Sequence, residues 1–399
     1  MQRSSNRFLR VEALELRLTM SATSAFNLAG AAVKGNTTLP YTYSVVGNAS
    51  DVGVFPANLA SQSSGLALAG GGTDVDEVFR WLGNKASGGD FLVIRATGTN
   101  AYDRYIDRLV PSLDSVATLI IPDRTAANNA EVSQLISGAE AIFIAGGDQA
   151  NYVNFWNDTG VEAAIYQAIL HNVPIGGTSA GLAVLGEIDF SAAAGTITSS
   201  EALANPLDSR IVAGLDARFV SPEASELPTN SPTILDYLDN VITESHFMQR
   251  DRMGRLLTFM ANMDAKNLVP DLPRGIAVNE QTALLVESNG FAQVVGNPYD
   301  SRKLSPTQQQ RSVYLIQGNT RNPSVMPNVA LQYGVDVVRA SYDPVSRVAD
   351  TFDLDDLYQS KNWELVGLDN YDVIANGGSV MSVDLSFVYG EAGIKRRAV

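Results

Sequence analysis

Residues 177–181 read Gly-Thr-Ser-Ala-Gly, with Ser179 at the centre. This G-x-S-x-G pattern is typical of a sharp strand-to-helix turn that exposes a nucleophilic hydroxyl. The apolar run 173–175 precedes the motif and the apolar run 182–185 follows it, as such a turn requires. The N–H of Ala180 would then point at the oxygen of an attacked carbonyl. The motif alone also fits a glycine-rich turn that only packs tightly or binds a phosphate.

A nucleophilic serine needs a base, and the chain contains two histidines, His171 and His246. His171 follows an amphipathic segment and has the position of a helix end, where an imidazolium offsets the negative end of the helix. His246 lies in a polar stretch downstream of the motif. We therefore expect His246 to be the base.

The histidine in turn needs a carboxylate that fixes its tautomer and stabilises the imidazolium. Glu201 lies between Ser179 and His246 in a loop-like segment. Glu244 lies two residues before His246, and in an extended segment both side chains point to the same side. Weaker candidates are Glu187 and Asp189. The residues alone leave the choice between Glu201 and Glu244 open.

Two further groups of residues could bind a substrate. The run 141–145 ends in Gly146 and Gly147, and ligands of open α/β sheets bind at the carboxyl ends of strands. There Gly147 could supply a second oxyanion N–H, and Gln149 could form a hydrogen bond with substrate. The second group is a cluster of arginines in a chain of net charge −15: Arg250, Arg252 and Arg255. The cluster fits an acidic substrate or a peptide carboxylate, and it fits surface ion pairs equally well.

Composition excludes several classes of chemistry. The chain has 399 residues and no cysteine, which excludes disulfides, thiolate nucleophiles and cysteine-ligated metals. Catalytic zinc sites usually have three protein ligands rich in histidine, so a chain with two histidines disfavours a zinc hydrolase. We expect no metal and no cofactor. The excess of 43 acidic over 28 basic side chains argues against nucleic acid as a partner. No apolar run reaches the ~18 residues of a membrane helix.

Short apolar runs alternate with amphipathic segments through the middle of the chain. The runs are 66–69, 91–95, 116–122 and 141–145, and the amphipathic segments are 75–85, 102–109, 130–136 and 161–170. This rhythm predicts an α/β fold with a doubly wound, mostly parallel sheet and helices on both faces. After about residue 297 the pattern changes to separate strands at 313–317, 335–339 and 383–389, which predicts a smaller, mainly β C-terminal region.

We divide the chain into four segments. Residues 1–24 form a leader or a disordered N-terminus, 25–64 a loosely structured lead-in, 65–300 a catalytic α/β domain, and 301–399 the C-terminal β-rich region. The first segment is basic and contains Arg-Val-Glu-Ala-Leu-Glu, similar to the leaders of some exported bacterial proteins, but its charges interrupt the apolar core of an ordinary signal peptide. Export and a cytoplasmic location both stay open.

Taken together, several segments resemble the family of serine exopeptidases that contains cyanophycinase and aspartyl dipeptidase. The resemblance covers residues 65–300, and the family's fold is similar to that of class I glutamine amidotransferases. The matching segments, in chain order, are the glycines near residue 70, Gly146–Gln149, Gly177–Gly181, Glu201–Pro206, His246–Leu257 and Gly275–Glu280.

The resemblance implies a role for each matching residue. It places the nucleophile on Ser179, the base on His246 and the acid on Glu201 rather than Glu244. Substrate binding falls on Gln149 and the three arginines. The implied substrate is a peptide or polymer with aspartyl and arginine residues, from which β-aspartyl-arginine is released.

The sequence departs from the family at one substrate-binding pair. Glu244 and Ser245 stand where cyanophycinases have Asp-Gln before the histidine, so the chemistry is better supported than the substrate. The alternatives are an α-aspartyl dipeptidase and a non-catalytic ligand-binding module on the same scaffold. A homo-oligomer is compatible with the sequence.

Overall fold

A computed structural model describes residues 39–53, 63–217, 233–298, 310–319, 323–359 and 368–382. The predicted leader and the predicted strand at 383–389 lie outside these ranges. Within them the chain forms two β-sheets and eleven α-helices. None of the helices in the described ranges combines the length and apolar character needed to cross a membrane.

The strands, in chain order, are β1 Thr42–Gly47, β2 Gly65–Ala69, β3 Asp90–Arg95, β4 Ser115–Ile120, β5 Ala141–Ile144, β6 Ile175–Thr178, β7 Ile188–Phe190, β8 Leu215–Ala217, β9 Val241–Glu244, β10 Arg274–Val278, β11 Thr282–Glu287, β12 Phe291–Gly296, β13 Arg311–Gly318, β14 Tyr333–Tyr342, β15 Thr351–Asp353, β16 Asp369–Asn376 and β17 Ser379–Ser382. The helices are α1 Asp76–Lys85, α2 Ala101–Leu109, α3 Arg124–Ala127, α4 Ala130–Ser137, α5 Gln149–Trp156, α6 Gly160–Leu170, α7 Ala180–Ala183, α8 Ser199–Ala204, α9 Ser209–Gly214, α10 Met253–Ala265 and α11 Leu354–Gln359.

The first sheet has nine strands in the order β1-β4-β3-β5-β6-β2-β11-β12-β15. Its five central strands, β4, β3, β5, β6 and β2, run parallel, and the flanking strands are antiparallel. The central strands are short, apolar and almost entirely buried, as expected for strands covered on both faces. The predicted α/β class and mostly parallel sheet are confirmed.

The second sheet has eight strands in the order β17-β16-β14-β13-β10-β9-β7-β8. Strand β13 pairs antiparallel with β10, from Arg274 opposite Gln317 to Val278 opposite Val313. In the first sheet, β15 pairs with β12. The mainly β character of the C-terminal region is confirmed, and its strands extend both sheets across residue 300. A domain boundary at that residue stays a prediction.

The buried side chains form three clusters. One lies under α1 and α2 on one face of the first sheet. The largest joins the other face to α4, α6 and the facing residues of β10, β13 and β14. The third packs α8 and α10 on the far face of the second sheet. The second sheet is therefore part of the same layered core as the first.

The lead-in segment contains a strand that the sequence analysis did not predict. Residues 42–47 form β1, which pairs antiparallel with β4 from Thr42 opposite Ile120 to Gly47 opposite Ser115. Its side chains are only partly buried, so it has no strong apolar run. A partner about 70 residues away along the chain gives no local signal.

Candidate active site

Ser179 lies at the junction of β6 and α7, with φ 53° and ψ −112°. A left-handed φ is rare for a residue with a side chain and persists only where the surroundings enforce it. Here the turn is packed tightly on both sides. A Cβ at residue 177 would lie 2.3 Å from the Gly181 oxygen, and a Cβ at residue 181 would lie 2.0 Å from the Ile144 oxygen. Both glycines of the motif are therefore required by close backbone approach.

The carboxyl ends of three parallel strands converge around Ser179. Its N–H donates to the oxygen of Ala69 at the end of β2 (3.1 Å). At the end of β5, a Cβ added to Gly146 would lie 3.5 Å from the Ser179 Cβ. Gly71 follows β2, and a Cβ there would lie 2.5 Å from Cε1 of His246. The glycines at these strand ends leave room for the serine and for the imidazole.

The structure brings Ser179 and His246 together. Ser179 Oγ and His246 Nε2 lie 2.7 Å apart, and His246 is only 6% exposed. His246 follows β9, and its N–H donates to the oxygen of Gly70 (2.8 Å). Strand β9 also braces the helix after the serine, because the Thr243 hydroxyl donates to the Leu182 oxygen (2.9 Å). The two sheets thus fix the serine and the histidine relative to each other.

The second ring nitrogen of His246 contacts Glu280, with Nδ1 and Oε1 2.6 Å apart. An ionised carboxylate only accepts hydrogen bonds, so Nδ1 carries the proton and Nε2 is free to accept one from the serine hydroxyl. Glu280 follows β10, which runs parallel to β9. Its N–H donates to Oε1 of Gln249, three residues after the histidine (2.9 Å).

This geometry corrects the expected acid, because Glu280 and not Glu201 contacts the histidine. Glu201 forms a capping box with Thr198 at the start of α8 and accepts hydrogen bonds from Arg210 (3.2 Å). These hydrogen bonds lower the pKa of the exposed Glu201 carboxyl. In the sequence, Glu280 ends the matching segment Gly275–Glu280 and follows an apolar run. No glycine pair like that after β5 marks this position.

Glu244, the other candidate acid, belongs to an internal ion-pair cluster. Arg255 donates to both its carboxylate oxygens (2.7 and 2.6 Å), and Arg252 donates to one of them (2.8 Å). Burial alone would raise the pKa of Glu244, but the two guanidinium groups hold it below its ordinary value. Glu244, Ser245 and Arg255 are each less than 5% exposed. The geometry does not support the expected contact of these three with substrate.

Arg250 is exposed, and its N–H donates to the His246 oxygen (3.0 Å). Burial lowers the pKa of His246 from 6.5, and the charges of Arg250 and Arg252 lower it further, while the hydrogen bond that Nδ1 donates to Glu280 acts in the opposite direction. The lowered pKa favours the neutral imidazole, the form that a general base needs.

The remaining predicted residues line the turns beside Ser179. Gly147 is exposed at the end of β5. Gln149 begins α5 and donates to the Phe190 oxygen (3.3 Å). Ala180 is buried directly after the serine. In the described ranges, the oxygens of one group of aspartates lie close enough together to share a metal: Asp51, Asp90 and Asp114. This group lies at the amino ends of β3 and β4, at the opposite edge of the sheet from Ser179.

The sequence model of peptidase family S51 matches residues 91–294, more than half of the chain. This chain belongs to peptidase family S51. The matched range contains Ser179, His246 and Glu280 and ends before β13. The family assignment agrees with the predicted resemblance.

Curated relatives are cyanophycinases. The chain is 27% identical to the cyanophycinase of Nostoc sp. over 184 residues, which cover 46% of this chain and 51% of the relative. It is 26% identical to that of Geminocystis herdmanii over 196 residues, 49% of this chain and 60% of the relative. The chain thus spans about half the length of the first relatives it matches. A solved peptidase from an acI-B1 Actinobacterium is 18% identical, with a TM-score of 0.38 over 60% of this chain and 89% of that one.

Proposed function

We propose that this protein is a serine peptidase that hydrolyses aspartyl-containing peptides in the manner of a cyanophycinase. The observation that carries the proposal is a continuous hydrogen-bonded series at the strand ends. Ser179 Oγ lies 2.7 Å from His246 Nε2, and His246 Nδ1 lies 2.6 Å from Glu280. A hydroxyl, an imidazole and a carboxylate in this order form the arrangement that activates a serine nucleophile.

In the proposed reaction, Ser179 Oγ attacks the carbonyl carbon of the scissile amide while His246 Nε2 takes the hydroxyl proton. Glu280 holds the imidazole in the required tautomer and stabilises the imidazolium that forms. The imidazolium then protonates the leaving amine, and the acyl group remains as an ester on Ser179. A water, deprotonated by His246, cleaves this ester and restores the serine.

The N–H groups of Gly147 and Ala180 are the proposed oxyanion donors. Gly147 lies three residues after the end of β5 and Ala180 two residues after the end of β6, and glycine at 147 keeps the approach clear of a side chain. Removing one donor of this kind costs about 3–4 kcal/mol of transition-state stabilisation in well-studied enzymes. No step in this scheme uses a metal or an organic cofactor.

We propose as substrate a polymer with an aspartyl backbone and arginine side chains, from which β-aspartyl-arginine dipeptides are released. Two observations support a peptide substrate that carries carboxylates. Arg250 is exposed next to the buried His246, and Arg252 adds positive charge behind it in a chain of net charge −15. Gln149, half-buried beside Gly147, is placed to donate to a backbone carbonyl of the substrate. The cyanophycinase relatives point to the same polymer.

The test is mass-spectrometric product analysis after incubation with cyanophycin and with matched α- and β-aspartyl dipeptides. We expect β-aspartyl-arginine from the polymer, no product from Ser179→Ala, and unchanged turnover from Ser200→Ala, which alters an exposed serine in α8. Cleavage of α-aspartyl peptides alone would identify an α-aspartyl dipeptidase. Equal turnover by the native protein and folded Ser179→Ala would refute the assigned nucleophile.

A further inference from the structure

The turn that carries Glu280 is held by β13, a strand outside the family match. Three consecutive residues of this segment contact the residues on either side of Glu280. The Asn279 N–H donates to the Ser312 oxygen (3.1 Å), and its side-chain amide donates to the Gln310 oxygen (3.1 Å). Between them, Arg311 Nη2 donates to Oε1 of Gln281 (3.2 Å).

Arg311 is the largest of these side chains and is 2% exposed. Its Nε donates to the Asn297 oxygen (3.2 Å), and the Asn297 N–H donates to the Gln281 oxygen (3.0 Å). In the described part of the chain, its Nη1 has no hydrogen-bond partner. Burial lowers the pKa of this guanidinium, and the charge of Glu280 opposes that shift. A buried and incompletely paired cation is costly, so its presence calls for a compensating negative charge.

The backbone beside Glu280 has a conformation that its surroundings must hold in place. Gln281 has a left-handed φ of 57°, which a residue with a side chain adopts only under constraint. Arg311 engages the Gln281 side chain directly and the Gln281 oxygen through Asn297. Its stem packs against Gly296, where a Cβ would lie 3.1 Å from the Arg311 Cβ.

We propose that Arg311 is a positioning residue of the active site, which fixes the 279–281 turn so that the Glu280 carboxylate stays on Nδ1 of His246. The inference rests on the proposed function, because it gives Glu280 the role of the acid. The inference gives a role in catalysis to the C-terminal strands, which lie outside the family-matched region.

The test is a double-mutant cycle on the rate of peptide hydrolysis with Arg311→Met and Glu280→Gln. Methionine keeps an unbranched apolar stem and removes the charge and both hydrogen bonds. We expect Arg311→Met to lower kcat about 10- to 100-fold with little change in KM, the size of effect that a small misplacement of a reacting group produces. In the Glu280→Gln background, the same change should cost less than twofold. Arg104→Met, at an exposed arginine of α2, is the matched control.

A second readout separates positioning from a general structural role. Because the chain contains two histidines, histidine-selective ¹⁵N labelling resolves His246 in an NMR titration. The hydrogen bond that His246 donates to Glu280 raises the pKa of His246, so loss of that contact in Arg311→Met should lower it. An unchanged His246 titration together with independent, multiplicative rate effects in the cycle would overturn the inference.

The outcomes distinguish this inference from the proposed function. Full activity in Ser179→Ala or Glu280→Gln would contradict the proposed function itself. Loss of activity in both, with no coupling between Arg311 and Glu280, would contradict only the positioning role. Gln281→Asn serves as the second variant if Arg311→Met does not fold, because asparagine tolerates a left-handed φ but is too short to reach Arg311. It should reproduce the fall in kcat, and wild-type kcat in this variant would overturn the inference.

Discussion

At the scale of single residues, His246 has to meet two opposing requirements. It must be neutral to accept the serine proton, and it must tolerate a positive charge once it has done so. Burial and the nearby Arg250 and Arg252 favour the neutral ring, whereas the hydrogen bond to Glu280 favours the charged one. In the proposed mechanism, Glu280 is therefore the group that stabilises the imidazolium.

Exchanging the two candidate carboxylates for amides tests that conclusion. Glu280→Gln should lower kcat/KM by about 10³- to 10⁴-fold, because an amide that donates to Nδ1 stabilises the wrong tautomer. Glu201→Gln, the matched control in the α8 capping box, should stay within a few-fold of wild type. Steady-state kinetics on a β-aspartyl dipeptide measures both, and the reverse order of effects would restore Glu201 as the acid.

The charge on Arg250 should set the acidic limb of the pH profile. Activity rises with pH as His246 loses its proton, and the lowered pKa of His246 places this limb below pH 6.5. Arg250→Gln removes a positive charge that disfavours the imidazolium, so the pKa of His246 and the limb of kcat/KM should both move to higher pH. Arg104→Gln should not shift either. A limb that moves to lower pH in Arg250→Gln would contradict this electrostatic account.

At the scale of elements, the site depends on strand ends that meet at one edge of a sheet. Glycines at or near the ends of strands β2, β5 and β6 allow the backbone, the serine and the imidazole to approach closely. In the turn after β6, a Cβ on Gly181 would lie 2.0 Å from the oxygen of Ile144. Helix α7, only four residues long, is then braced by Thr243 of β9.

Gly181→Ala should therefore disrupt the turn. The added Cβ would lie 2.0 Å from a backbone oxygen, and overpacking costs about 1–3 kcal/mol, so we expect a loss at the upper end of that range. Chemical denaturation measures the loss in the free energy of unfolding. Gly146→Ala is the matched control, since its Cβ would have only ordinary contacts, the nearest at 3.5 Å. Equal stability of the two variants would contradict the argument from close packing.

Local patterns were enough to predict the serine turn, the central strands and His246, because each is defined by neighbours in the sequence. Glu280 was not predicted, since its place beside the histidine depends on β10 pairing with β9, more than 30 residues away. The sequence around Glu201 favours a structural role over that of the catalytic acid. Thr198-Ser-Ser-Glu201 is a capping-box pattern, which indicates a helix start. The buried pairing of Glu244 with Arg252 and Arg255 likewise needs the tertiary fold.

At the scale of the whole molecule, the C-terminal strands are part of the architecture that holds the site. Strand β13 pairs with β10 along five residues, and β14 and β16 continue the sheet. Their side chains fill the cluster under α10, including Tyr314, Val335 and Val373. The acid-bearing turn after β10 thus lies between two strands of one sheet, β9 and β13.

Truncation at residue 309 should abolish folding. It would expose the edge of β10 and remove the apolar side chains that cover α10, so we expect no cooperative thermal transition by circular dichroism and no hydrolysis. The full-length chain under the same conditions is the control. A truncated chain that unfolds cooperatively would show that residues 65–300 form an independent domain.

The most direct measurement is to locate the covalent adduct of a fluorophosphonate, which reacts with activated serines. Peptide mapping by mass spectrometry should find one adduct, on Ser179, with a labelling rate that rises with pH through the titration of His246. His246→Ala should label far more slowly while remaining folded. An adduct on a different serine, or a folded native protein that acquires none, would contradict the assignment of Ser179 as the nucleophile.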